Sequence, residues 1–450
     1  MADAYDFTTG SIWKKMLLFS GPIFLTNILQ TSYQFIDSIW VGNLLGAGAL
    51  GAISISATVI FTVLSFIIGI NSATLTILSQ KKGQQDEIGL KKSLNAFTVV
   101  LTIMSISFGL IGYAVTDWIL RLMGTPEDIL PLARSYLHIN FLGIIMLFGY
   151  NFIGTVLRAL GDSRTPIRFV TAAVVLNAFF DPLFISYYDM GIAGAAYATI
   201  AAQGVAFFYG LIYSLMKKKV PFIKPYVPEK EYLYALFKVG LPAGLQMMAI
   251  SAGVMAIMTV VTRFGEDVTA GFGAAQRIDS IIMLPAFTLG SAVNSMAGQN
   301  IGAGKWDRVG EIAQKSVMLI LTVMFSISAV IFFTGEYLIR LFVDDQGTIE
   351  FGALYLQTIA FFYPFLGINF VLNGVVRSSG AMFQVLVLNL ISFWVLRYPL
   401  SYLFSNWYGE RGIAIGMGIS LVISSFIAAG YYVYGGWRNV KVFNDKGEGT

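Results

Sequence analysis

The sequence predicts an all-α integral membrane protein: twelve transmembrane helices in two pseudo-symmetric six-helix bundles around a central cleft. Three observations lead there. The 450 residues are 56% apolar and only 12% charged, with a mean hydropathy of +0.72, where a soluble domain carries about 25% charge. The apolar residues form long, nearly continuous runs of the length a spanning helix needs, about 20 residues. A membrane barrel would show short segments of alternating polarity instead. Finally, one ordered series of short motifs occurs twice along the chain.

The runs place spans at about 16–41, 50–79, 93–116, 132–157, 166–187, 191–216, 233–263, 270–299, 312–335, 352–376, 381–404 and 412–435. The amino terminus, MADAYDFTTGSIWKK, lacks the basic start, short apolar core and small-residue cleavage site of a signal peptide. The first span therefore reads as retained. Basic residues collect on one side of the bilayer. With the amino terminus inside, every lysine of the chain falls inside, in the even-numbered connections, at the two ends (Lys14, Lys15, Lys441, Lys446) or at the inner end of a span (Lys238). The opposite side takes acidic loops at Glu127/Asp128, Asp189, Glu266/Asp267, Asp344/Asp345 and Glu410. This pattern predicts an even number of spans, both termini cytoplasmic and residence in the plasma or inner membrane.

The longest inner connection, KKKVPFIKPYVPEKE, is rich in proline and charge and reads as a linker over 217–232. It separates an N-lobe at 13–216 from a C-lobe at 233–437. Between the lobes GPIFLTNIL at 21–29 is echoed by LPAGLQMM at 241–248, and QKKG at 80–83 by QNIG at 299–302. The stretch beginning YLHINFLG at 136 is echoed by that beginning YLQTIAFF at 355, and DPL at 181–183 by YPL at 398–400. The order holds and the offset stays nearly constant. Halves of six spans have parallel topology, the architecture of transporters that alternate access around a cleft between lobes.

Several chemistries are excluded. With no cysteine there is no disulfide or thiolate site, and one histidine, His138, cannot form a multi-histidine metal centre. The Gly-rich turns lack the Lys-Ser/Thr of a phosphate loop. Inner-leaflet lipid suffices to explain the basic loops, so no nucleic acid partner is expected. No Ser–His pair or H-E-x-x-H motif supports a membrane-embedded enzyme, and no cofactor is expected.

The informative groups are polar residues inside spans. A carboxylate within hydrocarbon costs roughly 2.5–3.5 kcal/mol even on a lenient insertion scale, so such groups pair, bind a cation or move a proton. The first span carries Asp37, with Tyr33 and Gln34 one turn earlier. The fifth places Asn177 and Asp181 at i and i+4, on one face, followed by Pro182. Tyr136 and Asn151 lie on the fourth span and Thr199 on the sixth. At 1.5 Å per residue Asp37 and Asp181 both fall in the outer half of the membrane. Two carboxylates in low dielectric do not both stay charged cheaply: burial and mutual repulsion raise at least one pKa, so a proton can load and unload near physiological pH. The same oxygens also suit a small hard cation. The residues alone leave both readings open.

The C-lobe is not a copy at these positions. It has Asp279 on the eighth span and Arg397 on the eleventh, both toward the outer leaflet, and they are expected to form an ion pair between those helices. Met247, Met255 and Met283, together with Tyr33 and Gln34, are expected to line an adaptable substrate cavity, since thioethers repack around varied ligands.

Taken together, GP at the start of the first span, FIDSIWVG at its end, VLRALGDSRTP after the fourth and N-x-x-x-D-P on the fifth resemble the multidrug and toxic compound extrusion (MATE) family. The acids resemble those of the branch that contains the DNA-damage-inducible transporters. That resemblance implies a secondary active multidrug exporter that antiports H⁺ or Na⁺ against bulky, often cationic, organic compounds. It implies an ion site at Asp37, Asn177, Asp181, Thr199, Asn151 and Tyr136, with a hinge at Pro22. A second bacterial branch carries a Glu on its seventh helix and an Asp on its tenth. This chain has Gln246 and Met247 on the former and no acid between Tyr355 and Arg377 on the latter. The expected partners are small organic molecules and the bilayer, and a monomer is expected. The alternative functions are a lipid-linked precursor flippase of the same superfamily, which would want a more basic cavity than Arg277 and Arg397 supply, and, more remotely, a membrane-embedded enzyme.

Overall fold

A computed structural model describes residues 5–443. Residues 1–4, and Lys446 counted above among the inner charges, lie outside them. The chain is helical almost throughout, as a bilayer requires: with no water in hydrocarbon, every backbone N–H and C=O must be satisfied within its own segment. The helices are α1 (12–45), α2 (Gly48–Gly83), α3 (Glu87–Leu122), α4 (Leu130–Ala159), α5 (Arg164–Tyr187) and α6 (Gly191–Met216). They continue as α7 (Lys230–Phe264), α8 (Glu266–Gly302), α9 (Trp306–Arg340), α10 (Gln346–Ser378), α11 (Met382–Tyr408) and α12 (Arg411–Tyr434).

Ten of these are long and apolar enough to cross a bilayer, and α10 makes eleven when its two halves, bent by 55°, count as one span. The twelfth is α1, which carries Asn27, Gln30, Gln34 and Asp37 along its length. It runs into α2 as one helical rod broken only at Gly46, whose φ of 82° ends regular helix there. All twelve expected spans are thus helices, extended by a few residues at most ends.

The chain divides into two compact units. The first contains residues 5–6 with Gly21–Leu236, and the second contains Phe7–Ser20 with residues 237–443. Within the first, the segment after α4 is tightly fixed. Gly161 holds φ at +91° and its carbonyl accepts from the Tyr5 N–H at 2.9 Å. Asp162, 2% exposed, accepts from the Arg164 and Thr165 N–H groups, the Thr165 hydroxyl and, at 2.7 Å, Lys219 Nζ. Asp162 therefore caps α5 and ties its start to the chain beyond α6. In the second unit the Arg308 guanidinium donates to the carbonyls of Phe7, Thr9 and Gly10, so the amino-terminal stretch packs there.

Both units contain a π-helical stretch on the fifth helix of their half. It spans Leu183–Tyr187 in α5, after Pro182, and Ile391–Arg397 in α11, before Pro399. Proline supplies no N–H, which favours a local change in the hydrogen-bond ladder. Such π segments recur at functional sites.

Candidate functional site

In the first unit, α1, α4, α5 and α6 bring most of the expected polar residues together. Asp37 is 7% exposed and Asp181 is fully buried. Asn177 Nδ2 donates to Asp181 Oδ1 at 3.1 Å, the i,i+4 contact its spacing predicts. The Asp37 charge acts on Asp181, and both act on the Tyr33 and Tyr136 hydroxyls, with Thr199 beside those two phenols. Tyr33 therefore belongs to this cluster. Gln34, in contrast, is exposed, and Asn151 donates to the Leu147 carbonyl of its own helix at 2.8 Å.

The helices are held close where this matters. Gly194 on α6 lies against the backbone of α5 so tightly that a Cβ there would sit 2.7 Å from the Phe184 carbonyl. That contact lies one turn beyond Asp181 and fixes the end of α5.

Neither carboxylate has a basic partner among the described residues. Three buried acceptors lack a donor: Asp37 Oδ1, Asn177 Oδ1 and Asp181 Oδ2. Buried polar atoms are satisfied in all but a few cases, and each exception calls for an explanation. Unfilled oxygens with no nearby cation form a site for a positive group: a proton, a hard cation or an ammonium.

Upstream, Pro22 interrupts the hydrogen-bond ladder of α1. The Thr26 hydroxyl donates to the Pro22 carbonyl at 2.8 Å, adding a bond one turn on.

The second unit holds a different arrangement, and it corrects one expectation. Asp279 and Arg397 do not form a contact ion pair. The two Asp279 oxygens accept instead from the Tyr355 and Tyr363 hydroxyls. Arg397 lies with its guanidinium over the Phe393 ring, 4.0 Å from the centroid. Both residues face one cavity, so the carboxylate senses the arginine without touching it. The physical reason is that two phenols, presented on either side of the α10 bend, already occupy the carboxylate. The sequence signal for them is Tyr355 and Tyr363, two turns apart on one span of the same half as Asp279. Of the expected substrate-lining methionines, Met283 lines this cavity, Met247 is half-buried and Met255 is exposed.

Comparison with known proteins agrees with the fold. The family model described as MatE matches the chain twice, over residues 22–183 and 242–403, one match in each half. The probable multidrug resistance protein YpnP of Bacillus subtilis is 58% identical over 443 residues, which is 98% of this chain and all of that protein. The multidrug export protein MepA of Staphylococcus aureus is 24% identical, covering 91% of each. Among solved structures, the Vibrio cholerae MATE transporter VcmN superposes with a TM-score of 0.91 at 21% identity, covering 97% of this chain and 99% of that one. An outward-facing multidrug resistance MATE transporter of the MOP superfamily gives 0.89 at 21%, covering 95% and 96%. These likenesses show the two-lobe MATE fold.

Proposed function

Starting from the MatE family of transporters, to which this chain belongs, we propose that it is a secondary active multidrug exporter. It exchanges H⁺ or Na⁺ against bulky, often cationic, organic compounds by alternating access, from a plasma or inner membrane with both termini cytoplasmic. The observation that carries this reading is the convergence of Asp37 and Asp181 in one unit, with unfilled oxygens and no basic partner. The names of the relatives, multidrug resistance and export proteins, support the substrate class.

The chemistry follows from charge. With the coupling ion absent, the cluster is negative and attracts an organic cation. When a proton or Na⁺ reaches Asp37 or Asp181, that charge is cancelled and the attraction falls. Asn177, Thr199, Tyr33 and Tyr136 complete the polar shell, and α1 is free to bend near Pro22. Ion and cation then compete, and linkage makes the competition reciprocal.

The test is export of an organic cation from proteoliposomes under separately imposed pH and sodium gradients. Transport driven by one gradient identifies the coupling ion. Indifference to both gradients, with translocation of a lipid-linked diphosphate, would overturn the exporter reading in favour of a flippase.

A further inference from the structure

The cavity of the second unit has the opposite need from the cluster of the first. Its polar walls are Asp279, Gln276, Tyr355, Tyr363 and Arg397. The Asp279 oxygens each have a tyrosine donor. Arg397 is 97% buried by its 3% exposure, yet its Nε has no acceptor. A buried guanidinium is costly in a membrane and normally has its N–H groups satisfied. The unused hydrogen-bonding capacity of this cavity is therefore a donor, and what fits it is an acceptor. The Phe393 face supports the guanidinium from one side by cation–π attraction, which holds the charge without using an N–H. The cavity volume, about 40 Å³, is room for about three water-sized atoms, taking 10–15 Å³ for each. That is the size of a carboxylate group.

Charge sets a further condition. The groups facing the cavity from α8 and α10 are Asp279, Gln276 and the two tyrosines, and from α11 Arg397 alone is charged; α7 and α12 contribute only apolar side chains. Arg277, on the same helix as Asp279, is turned toward the Phe342 ring instead. With Asp279 ionised the cavity is neutral overall. A carboxylate entering alone would leave it with a net negative charge in low dielectric, which is unfavourable. A carboxylate entering with one proton leaves the net charge unchanged.

We propose that the second-unit cavity is a carboxylate-binding site, with Arg397 as the anchoring donor, and that a carboxylate enters it together with one proton. The proton moves from water to the Asp279 side of the cavity; no bond other than O–H is made. The geometry of the site is independent of the transport reading. Only the source of the carboxylate, a free small acid or the acid group of a transported amphoteric compound, rests on that reading.

The experiment uses the purified full chain in detergent at fixed ionic strength. Formate is titrated while thermal stability and proton uptake are recorded. The expected result is a formate-dependent rise in unfolding temperature, with one proton taken up per formate bound. Arg397→Gln should weaken the effect about tenfold or more, the loss of one charge-assisted hydrogen bond at about 1.5–3 kcal/mol. Asp279→Asn carries the neutral side chain in advance, so it should bind formate without proton uptake; this arm stands even if the arginine variant fails to fold. No stabilisation by formate, stabilisation undiminished in Arg397→Gln, or proton uptake unchanged in Asp279→Asn would each overturn the proposal and leave water as the occupant. The source is separated in vesicles. If the site serves substrates, a carboxylate-bearing organic cation is exported better than its methyl ester by the native chain but not by Arg397→Gln. If it serves free acids, formate binding persists with no such preference. Failure of this site leaves ester export intact, whereas failure of the exporter reading abolishes export of acid and ester alike.

Discussion

The two units share a fold and a motif order but present opposite chemistry at their buried polar centres. In the first, Asp37 and Asp181 sit without a basic partner among the described residues, and one oxygen of each lacks a donor, beside the unpaired hydroxyls of Tyr33 and Thr199. In the second, the one acid is occupied by two phenols, and the unfilled atom at the cavity is an arginine N–H. Both halves match the same family model and carry a π-helical stretch on their fifth helix, while the polar side chains at their centres differ in sign. A repeat protein can therefore carry a cation-seeking lobe and an acceptor-seeking lobe on one backbone plan.

The largest effect is expected where the first unit is made less acidic. Asp181→Asn should reduce gradient-driven export to the level of protein-free vesicles, measured in proteoliposomes, because the neutral amide no longer exchanges an ion. Thermal stability should hold or rise, since an uncompensated buried charge is removed. Native export rates in that variant would erase the contrast between the lobes.

A second large effect concerns the frame around the first site. Asp162→Ala removes the carboxylate paired with Lys219, which keeps its Thr165 hydroxyl contact, and uncaps α5, at a cost of about 3 kcal/mol by the rule for breaking one side of a buried pair. It should show as a lowered unfolding temperature with export lost in proportion to folded protein, unlike Asp181→Asn. Gly194→Ala should cost about 1–3 kcal/mol by overpacking, since the added Cβ meets the Phe184 backbone. It should also impair export, because it displaces the end of α5 beside Asp181.

The smallest effect lies outside the membrane. Asp86 caps α3 through the Gly89 N–H at 2.7 Å and pairs with Lys81 at 2.8 Å. Burial pushes its carboxyl up, but the Lys81 and Gly89 hydrogen bonds outweigh that and hold it below its ordinary value. Its stabilisation is therefore present above the unfolded carboxyl range and is lost as pH falls through the lowered folded value. Asp86→Ala should cost about 1 kcal/mol, the usual worth of a helix cap, and should flatten the acid limb of a stability–pH profile.

Much of this was legible in the sequence. Spanning helices were, because a bilayer forces apolar runs of a set length, and all twelve expected spans are helices in the structure. The cluster of Asp37, Asn177, Asp181, Thr199 and Tyr136 was legible because acids in hydrocarbon are conspicuous and i,i+4 spacing fixes a shared face. Asn151 shares the depth but bonds its own helix, a rotamer choice that spacing does not encode. The Asp279–Arg397 relation was not legible. It depends on the π-helical stretch that ends at Arg397, which alters the helical register, and on the bend of α10 that presents both tyrosines to the acid. The bend falls just before Pro364 and the π-helical stretch just before Pro399, and hydrophobic periodicity shows neither.

The most direct measurement is ion release from the purified protein when an organic cation binds. Adding the cation to the native chain in weakly buffered detergent solution should release the coupling ion, read with a pH dye for H⁺ or a selective electrode for Na⁺. Asp37→Asn should bind the cation more weakly and release nothing. Cation binding with no ion released from the native chain, or release unchanged in Asp37→Asn, would contradict competition at the first-unit carboxylates.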